Sequence, residues 1–312
     1  MPRVVKVSAP GKIILSGGHA VVYGYLEVLC TINRRLTVEI QKSENALEVT
    51  PPEGELFVKY GLELIKTKLG IGELGNLKIK IDSQIPLGCG LGSSAAFAVA
   101  LTAGIFKFLK LPWSLKNING IAYEIEKKQH GTPSGGDNTI CTYGGFLLYR
   151  KEIEDLKVFS SLKTKIFPKV FLINSGKRLE STGEMVKAVK DFVFKSPQKA
   201  EQIFKETEKI TRSFLRYLSG EELNFGDLIK NNERLLEKLG VVSDKTKILI
   251  RKIEKNGGSA KISGAGGFKG SSGVILVYHQ DPKILLKFAG EENLEMFEVK
   301  LGEKGVRSEK KY

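Results

Sequence analysis

Apolar and polar residues alternate along Leu77-Lys78-Ile79-Lys80-Ile81, the two-residue period of a strand with one solvated face. Short apolar runs predict further strands over Arg3 to Val7, Val170 to Ile173, Ser259 to Ile262 and Val274 to Tyr278, with an edge-like strand over Met296 to Leu301. Helical spacing replaces alternation from Ser94 through Leu109 and over Pro282 to Phe288. Over Ser114 to Gln129, Ile118, Ile121, Ala122 and Ile125 share one helical face. Ser114 is a candidate N-cap, and Gly131-Thr132-Pro133 ends the segment. At about 100° per residue Glu126 falls at the border of that apolar stripe, while Glu124 and Lys128 stand at i,i+4 as a surface ion pair. Long charged helical stretches occupy the chain from the Val170 strand to about residue 256. Glycines cluster near 11–24, 88–92, 131–145 and 257–273, which predicts four loops. Strand, helices, strand, helix, strand in the second half describes a small α+β domain.

Length agrees with this division. At about 150 residues per domain, 312 residues make two, and the boundary falls near 150–165, giving domains 1–157 and 158–312. The longest weakly polar run, Ala95 to Phe106, holds Thr102 and Gly104 and falls short of the roughly 20 apolar residues that cross a bilayer. Lys6 and Lys12 interrupt the N-terminal apolar residues, so no signal-peptide core forms and a cytoplasmic location is expected, without membrane partners. Cys30, Cys89 and Cys141 lack CxxC spacing, and His19, His130 and His279 lie far apart, which disfavours disulfides and a dedicated metal cage. The net charge of +14 favours anionic partners. Nucleic acid is the weaker choice among them, because the basic residues lack interleaved aromatics and one tryptophan leaves few stacking platforms.

The sharpest chemical signal is Ile85-Pro86-Leu87-Gly88-Cys89-Gly90-Leu91-Gly92-Ser93-Ser94-Ala95-Ala96. Alternate glycines let backbone N–H groups converge on phosphate oxygens, a helix start adds its positive end, and serine hydroxyls bond phosphate or Mg²⁺. No GxxxxGK[ST] occurs, and Ser93 stands where a GxGxxG turn needs its third glycine, so a different class of nucleotide loop is required.

This loop resembles motif 2 of the GHMP kinases. Ala9-Pro10-Gly11-Lys12-Ile13-Ile14-Leu15 through His19-Ala20-Val21-Val22-Tyr23-Gly24 resembles their motif 1, and Gly264-Ala265-Gly266-Gly267 their glycine-rich motif 3. Within the superfamily, the motif 1 tail and His130-Gly131-Thr132-Pro133-Ser134-Gly135-Gly136-Asp137-Asn138 are most similar to the mevalonate kinases. The resemblance implies an α+β, two-domain GHMP kinase fold, with a ribosomal S5-like N-terminal domain and a ferredoxin-like C-terminal domain. It implies ATP and Mg²⁺ as cofactors and phosphorylation of the primary hydroxyl of mevalonate in isoprenoid precursor synthesis. Asp137 is then the catalytic carboxylate and Lys12 the ammonium beside it. Gly88, Gly90, Leu91, Gly92, Ser93, Ser94 and Ala95 bind nucleotide, and Ser94 with Glu126 holds the metal. Lys12, His19, Asp137, Thr182, Ala265 and Gly266 meet the acceptor, with His19 donating a hydrogen bond to it.

Two departures stand out. Mevalonate kinases carry a glutamate immediately before the motif 1 histidine, where this chain has Gly18, and Ser16 replaces the usual aromatic residue. Phe268, Lys269, Ser271 and Ser272 interrupt the glycines of motif 3, and Lys269 reads equally as a phosphate or carboxylate ligand and as an exposed loop lysine. Gly18 leaves another GHMP activity open: phosphomevalonate kinase, homoserine kinase or diphosphomevalonate decarboxylase. The oligomeric state, a homodimer included, is also open.

Overall fold

The computed structural model describes residues 4–131, 133–176 and 178–310, with the side chains of Gln129 and His130 excepted. Arg3, Thr132 and the His130 side chain, which the sequence reading used, lie outside the described residues.

The first half is built as β1 (Val5–Ser16), a short 3-10 turn (Gly18–Tyr23), β2 (Glu27–Lys42), β3 (Glu48–Thr50), α1 (Glu55–Leu69), β4 (Leu77–Ser83), α2 (Ser93–Phe108), α3 (Leu115–His130), α4 (Gly136–Tyr143), β5 (Phe146–Lys151) and β6 (Lys157–Leu162). The second half adds β7 (Val170–Asn174), α5 (Thr182–Lys195), α6 (Pro197–Leu218), α7 (Phe225–Lys238), α8 (Asp244–Lys255), β8 (Ser259–Ile262), β9 (Val274–Tyr278), α9 (Pro282–Glu291), β10 (Met296–Val299) and β11 (Arg307–Ser308).

The first sheet runs β11-β1-β2-β4-β3. The first residues of the long β2 pair instead with β5, which carries β6 on its far side. Helix α2 packs on β1 and β2, with α3 and α4 around it. Every residue of α2 from Ala95 to Phe106 is buried, so this helix is covered all round, and its one buried hydroxyl, Thr102, donates to Ala98 O. The second sheet, β10-β7-β9-β8, is antiparallel and packs α8 and α9 through Ile250, Ile253, Leu285 and Phe288. Among the described residues no helix is long and apolar enough to cross a membrane.

Two local expectations are corrected. The first glycine cluster is only half a loop, since residues 11–16 continue β1 and Gly11 marks a register shift after Pro10. Just past that shift Lys12, still paired with Thr31, turns its N–H away from β2 and donates to Leu91 O at 2.9 Å, tying motif 1 to motif 2. Glu124 does not pair with Lys128. It reaches Lys68 on α1 at 3.7 Å, while the Lys128 ammonium lies 4.6 Å from the centre of the Tyr60 ring. A neighbouring helix thus outcompetes the i,i+4 contact. Strand β6 lies mostly beyond the 157/158 division yet belongs to the first sheet, and β11 returns to pair with β1, so that sheet draws strands from both sides of the division.

Candidate active site

Lys12 enters the site from the middle of β1, its stem buried and 2% exposed, and its Nζ lies 3.0 Å from Asp137 Oδ1. Asp137 is the second residue of α4, and its carboxylate is 40% exposed, so it opens toward the cleft while its partner is held below. Asn138 fixes this arrangement by donating from Nδ2 to Asn119 Oδ1 on α3 at 2.6 Å. A buried ammonium held against a half-open carboxylate can neutralise developing negative charge while the carboxylate takes a proton.

The phosphate-type loop runs over this pair. Gly92 caps α2 with φ of +76°, and a Cβ there would stand 2.8 Å from Lys12 Cγ. Only glycine lets the loop lie on the lysine stem, and α2 then begins at Ser93 with its N-terminal end, the positive end of the helix dipole, at the cleft, a ready anion site. Gly88, Gly90, Gly92, Ser93, Ser94 and Ala95 all line the cleft, whereas Leu91 is buried beneath it and contributes its carbonyl to Lys12 N–H. Gly92→Ala carries a left-handed backbone cost of about 1–2 kcal/mol and pushes Lys12 aside. It is expected to lower kcat/KM for ATP at least about tenfold in an ADP-release assay, with the fold retained by circular dichroism.

At the other end, His19 is buried and its Nε2 lies 2.9 Å from Ala265 O. Since a carbonyl only accepts, Nε2 carries the proton. Burial lowers the pKa of the imidazole, which keeps it neutral, so the nitrogen left over, Nδ1, accepts. The expectation that His19 donates to an acceptor is corrected accordingly. Thr182 is the first residue of α5, behind a capping box formed by Ser181 and Glu184, and it lines the cleft with Ala265. Gly266 is not among the lining residues. A Cβ there would meet Val241 O at 2.0 Å, so its role is close backbone packing. Lys269 is exposed, its ammonium 5.9 Å from the Phe268 ring centre, and it does not line the cleft.

Glu126 and Ser94 meet as α3 crosses the start of α2, with the Ser94 hydroxyl donating to Glu126 Oε1. Glu126 is 4% exposed, and burial raises its pKa to about 7 against the Ser94 hydrogen bond. A buried carboxylate that gains from a nearby cation, beside a hydroxyl, is a donor set that suits Mg²⁺. Among the described residues there is no cluster of three or more His, Cys, Asp or Glu fit for a metal.

The cleft, of about 590 Å³, extends from this polar end to an apolar one between α1, β4 and the loop, lined by Pro51, Phe57, Ile81, Leu87 and Phe97. Phe57 is 45% exposed and stands edge-on to Phe97, with ring centres 6.5 Å apart. Sequence reasoning missed these residues, since an aromatic at the start of an amphipathic helix carries no chemical signature. Arg178, on the approach to Thr182, also lines the cleft. Its Nε donates to Gly88 O at 2.9 Å, clamping the loop from the second domain. Glu27 was also missed, and it lines the polar end at 2% exposure.

The family model for the GHMP kinases N-terminal domain matches residues 56–145. A mevalonate kinase of Archaeoglobus fulgidus is 36% identical over 265 residues, spanning 83% of this chain and 88% of the relative. The mevalonate kinase of Methanocaldococcus jannaschii is 30% identical over 95% of this chain and 99% of its own. In fold, the chain is similar to the Leishmania major mevalonate kinase crystallised with R-mevalonate, at a TM-score of 0.83, 23% identity, and coverage of 97% and 98% of the two chains. The chain belongs to the GHMP kinases and, within them, to the mevalonate kinase family.

Proposed function

We propose that this protein transfers the γ-phosphoryl group of ATP to the primary hydroxyl of mevalonate, giving 5-phosphomevalonate. The observation that carries the reading is the Lys12–Asp137 pair at 3.0 Å, set beneath the glycine loop at the N-terminal end of α2. Phosphoryl transfer passes through a loose transition state, so positioning and charge stabilisation supply most of the catalysis.

The apolar end, with Phe57 and Phe97, takes the adenine, and the α2 amides take the phosphates. The acceptor lies at the polar end, with its carboxylate toward the start of α5 at Thr182 and a hydroxyl donating to His19 Nδ1. Asp137 accepts the proton of the primary hydroxyl as its oxygen bonds to the γ-phosphorus and the bond to ADP breaks. Lys12 compensates charge on the transferring oxygens. Ser94 and Glu126 are the residues that would hold Mg²⁺, which when bound neutralises phosphate charge. Glu126→Gln keeps the shape and removes the charge. It is expected to raise the Mg²⁺ concentration for half-maximal rate by about an order of magnitude, measured by Mg²⁺ titration at saturating ATP and acceptor.

The test is ADP release with ATP and Mg²⁺ across mevalonate, phosphomevalonate, homoserine and galactose. Turnover on mevalonate alone is expected, and turnover confined to another acceptor overturns the assignment.

A further inference from the structure

The polar end holds a carboxylate that the reaction described above does not use. Glu27 begins β2, facing Tyr149 of β5, and is 2% exposed. One side of its carboxylate faces the backbone N–H of Gly18, while Oε2 has no hydrogen-bond partner among the described residues. That orphan oxygen lies 2.8 Å from where a Cβ on Gly136 would stand, which places it beside the turn that carries Asp137.

The cations nearby are already engaged. Lys12 pairs with Asp137, and the fully buried Lys261 of β8 donates to Ile14 O at 2.8 Å. Among the described residues no ammonium or guanidinium lies within ion-pair distance of Glu27. The groups facing it are Lys12 from β1, Asp137 from α4, Lys261 from β8 and Tyr149 from β5, and His19 from the 3-10 turn lines the same cleft. The polar residues that α6 buries, Thr207 and Thr211, carry no charge. A second anion close to Asp137, out of water and without a cation, is costly, and the group escapes the cost by keeping its proton.

We propose that Glu27 is a positioning residue of the acceptor end that works in its neutral form, leaving Lys12 to Asp137, and that its ionisation draws the ammonium away and slows phosphoryl transfer. This deepens the kinase reading and rests on it. The residue also supplies from β2 a carboxyl group at an end of the cleft where position 18 has none, and Gly18 itself has open space around its Cα. The physical basis is consistent with titration: burial first, and Asp137 second, push the Glu27 pKa up to about 8, against Lys12 and Lys261. The fully active form is then present below that value and is lost as pH rises through it.

The experiment compares wild type, Glu27→Gln and Glu27→Ala in kcat and KM for mevalonate from pH 6 to 10, alongside infrared difference spectra of the ligand-free proteins. Wild-type kcat is expected to fall about tenfold per pH unit above a break near 8. In Glu27→Gln, which is neutral at every pH, the break moves up by at least about one pH unit. Glu27→Ala is expected to lose more than about tenfold in kcat at all pH values, because the Gly18 and Gly136 backbone loses its support. The wild-type spectrum minus that of Glu27→Gln should contain a protonated-carboxyl band at pH 7 that disappears by pH 10. A break unchanged in Glu27→Gln, as titration of Lys261 would give, overturns the proposal. So does the absence of that band. Absence of wild-type turnover on mevalonate at pH 7 overturns the kinase reading instead, and the infrared comparison still decides the state of Glu27.

Discussion

Asp137→Asn is expected to reduce kcat on mevalonate by about 10²–10⁴-fold, with KM for ATP changed by less than about threefold. The substitution is isosteric, so the reason lies in the proton. An amide still accepts a hydrogen bond from the acceptor hydroxyl, but it cannot take that proton as the oxygen attacks phosphorus. The carboxylate it replaces is 40% exposed at the start of α4, and that helix is fastened to α3 by Asn138 and Asn119, so little of the fold depends on the charge. Thermal denaturation within a few degrees of wild type, together with the kinetic loss, separates a proton acceptor from a structural carboxylate. A kcat within about threefold of wild type contradicts the role.

Lys12→Met is the second large effect, with an expected loss of about 10²–10³-fold in kcat. Methionine retains most of the stem that packs under Gly92, so the loop should keep its seat while the ammonium disappears. Its carboxylate partner, Asp137, opens to the cleft and remains hydrated, which avoids the penalty of stranding a buried anion. Arginine in its place is expected to fail as well, because the larger guanidinium has no room at a position 2% exposed beneath the loop. Equal kcat in Lys12→Met and wild type, measured by ADP release at saturating substrates, contradicts charge stabilisation by this residue.

Much of this site was legible because its parts are local. The glycine-serine run at 88–94 states its own geometry, since alternate glycines before an apolar helix have few other uses, and the structure puts that run at the start of α2. Ser114 as N-cap was equally readable, and its hydroxyl accepts from Asn117 N–H at 3.3 Å. What sequence did not disclose depends on contacts between distant segments. Gly11 reads as loop until Leu91, eighty residues on, is seen to take the Lys12 amide. Gly266 reads as part of a ligand loop until Val241 is found against it, and Lys269 reads equally as a ligand and as a loop lysine until its side chain is seen outside the cleft. His19 reads as a donor until Ala265, 246 residues away, fixes which nitrogen holds the proton. Glu27 carried no signal because a single glutamate at the head of a strand is ordinary, and only its burial beside Asp137 makes it otherwise.

The central claim is that the Lys12–Asp137 pair drives transfer of a phosphoryl group to a mevalonate hydroxyl. It is tested most directly by following ATP, Mg²⁺ and mevalonate with the enzyme by phosphorus NMR, with the product identified by mass spectrometry and Asp137→Asn run in parallel. The account predicts stoichiometric appearance of a phosphomonoester at the primary carbon of mevalonate as the γ-phosphate signal declines, with the variant slower by at least about 10²-fold. Orthophosphate as the only new signal, an ester at another oxygen, or an Asp137→Asn rate equal to that of wild type would contradict it.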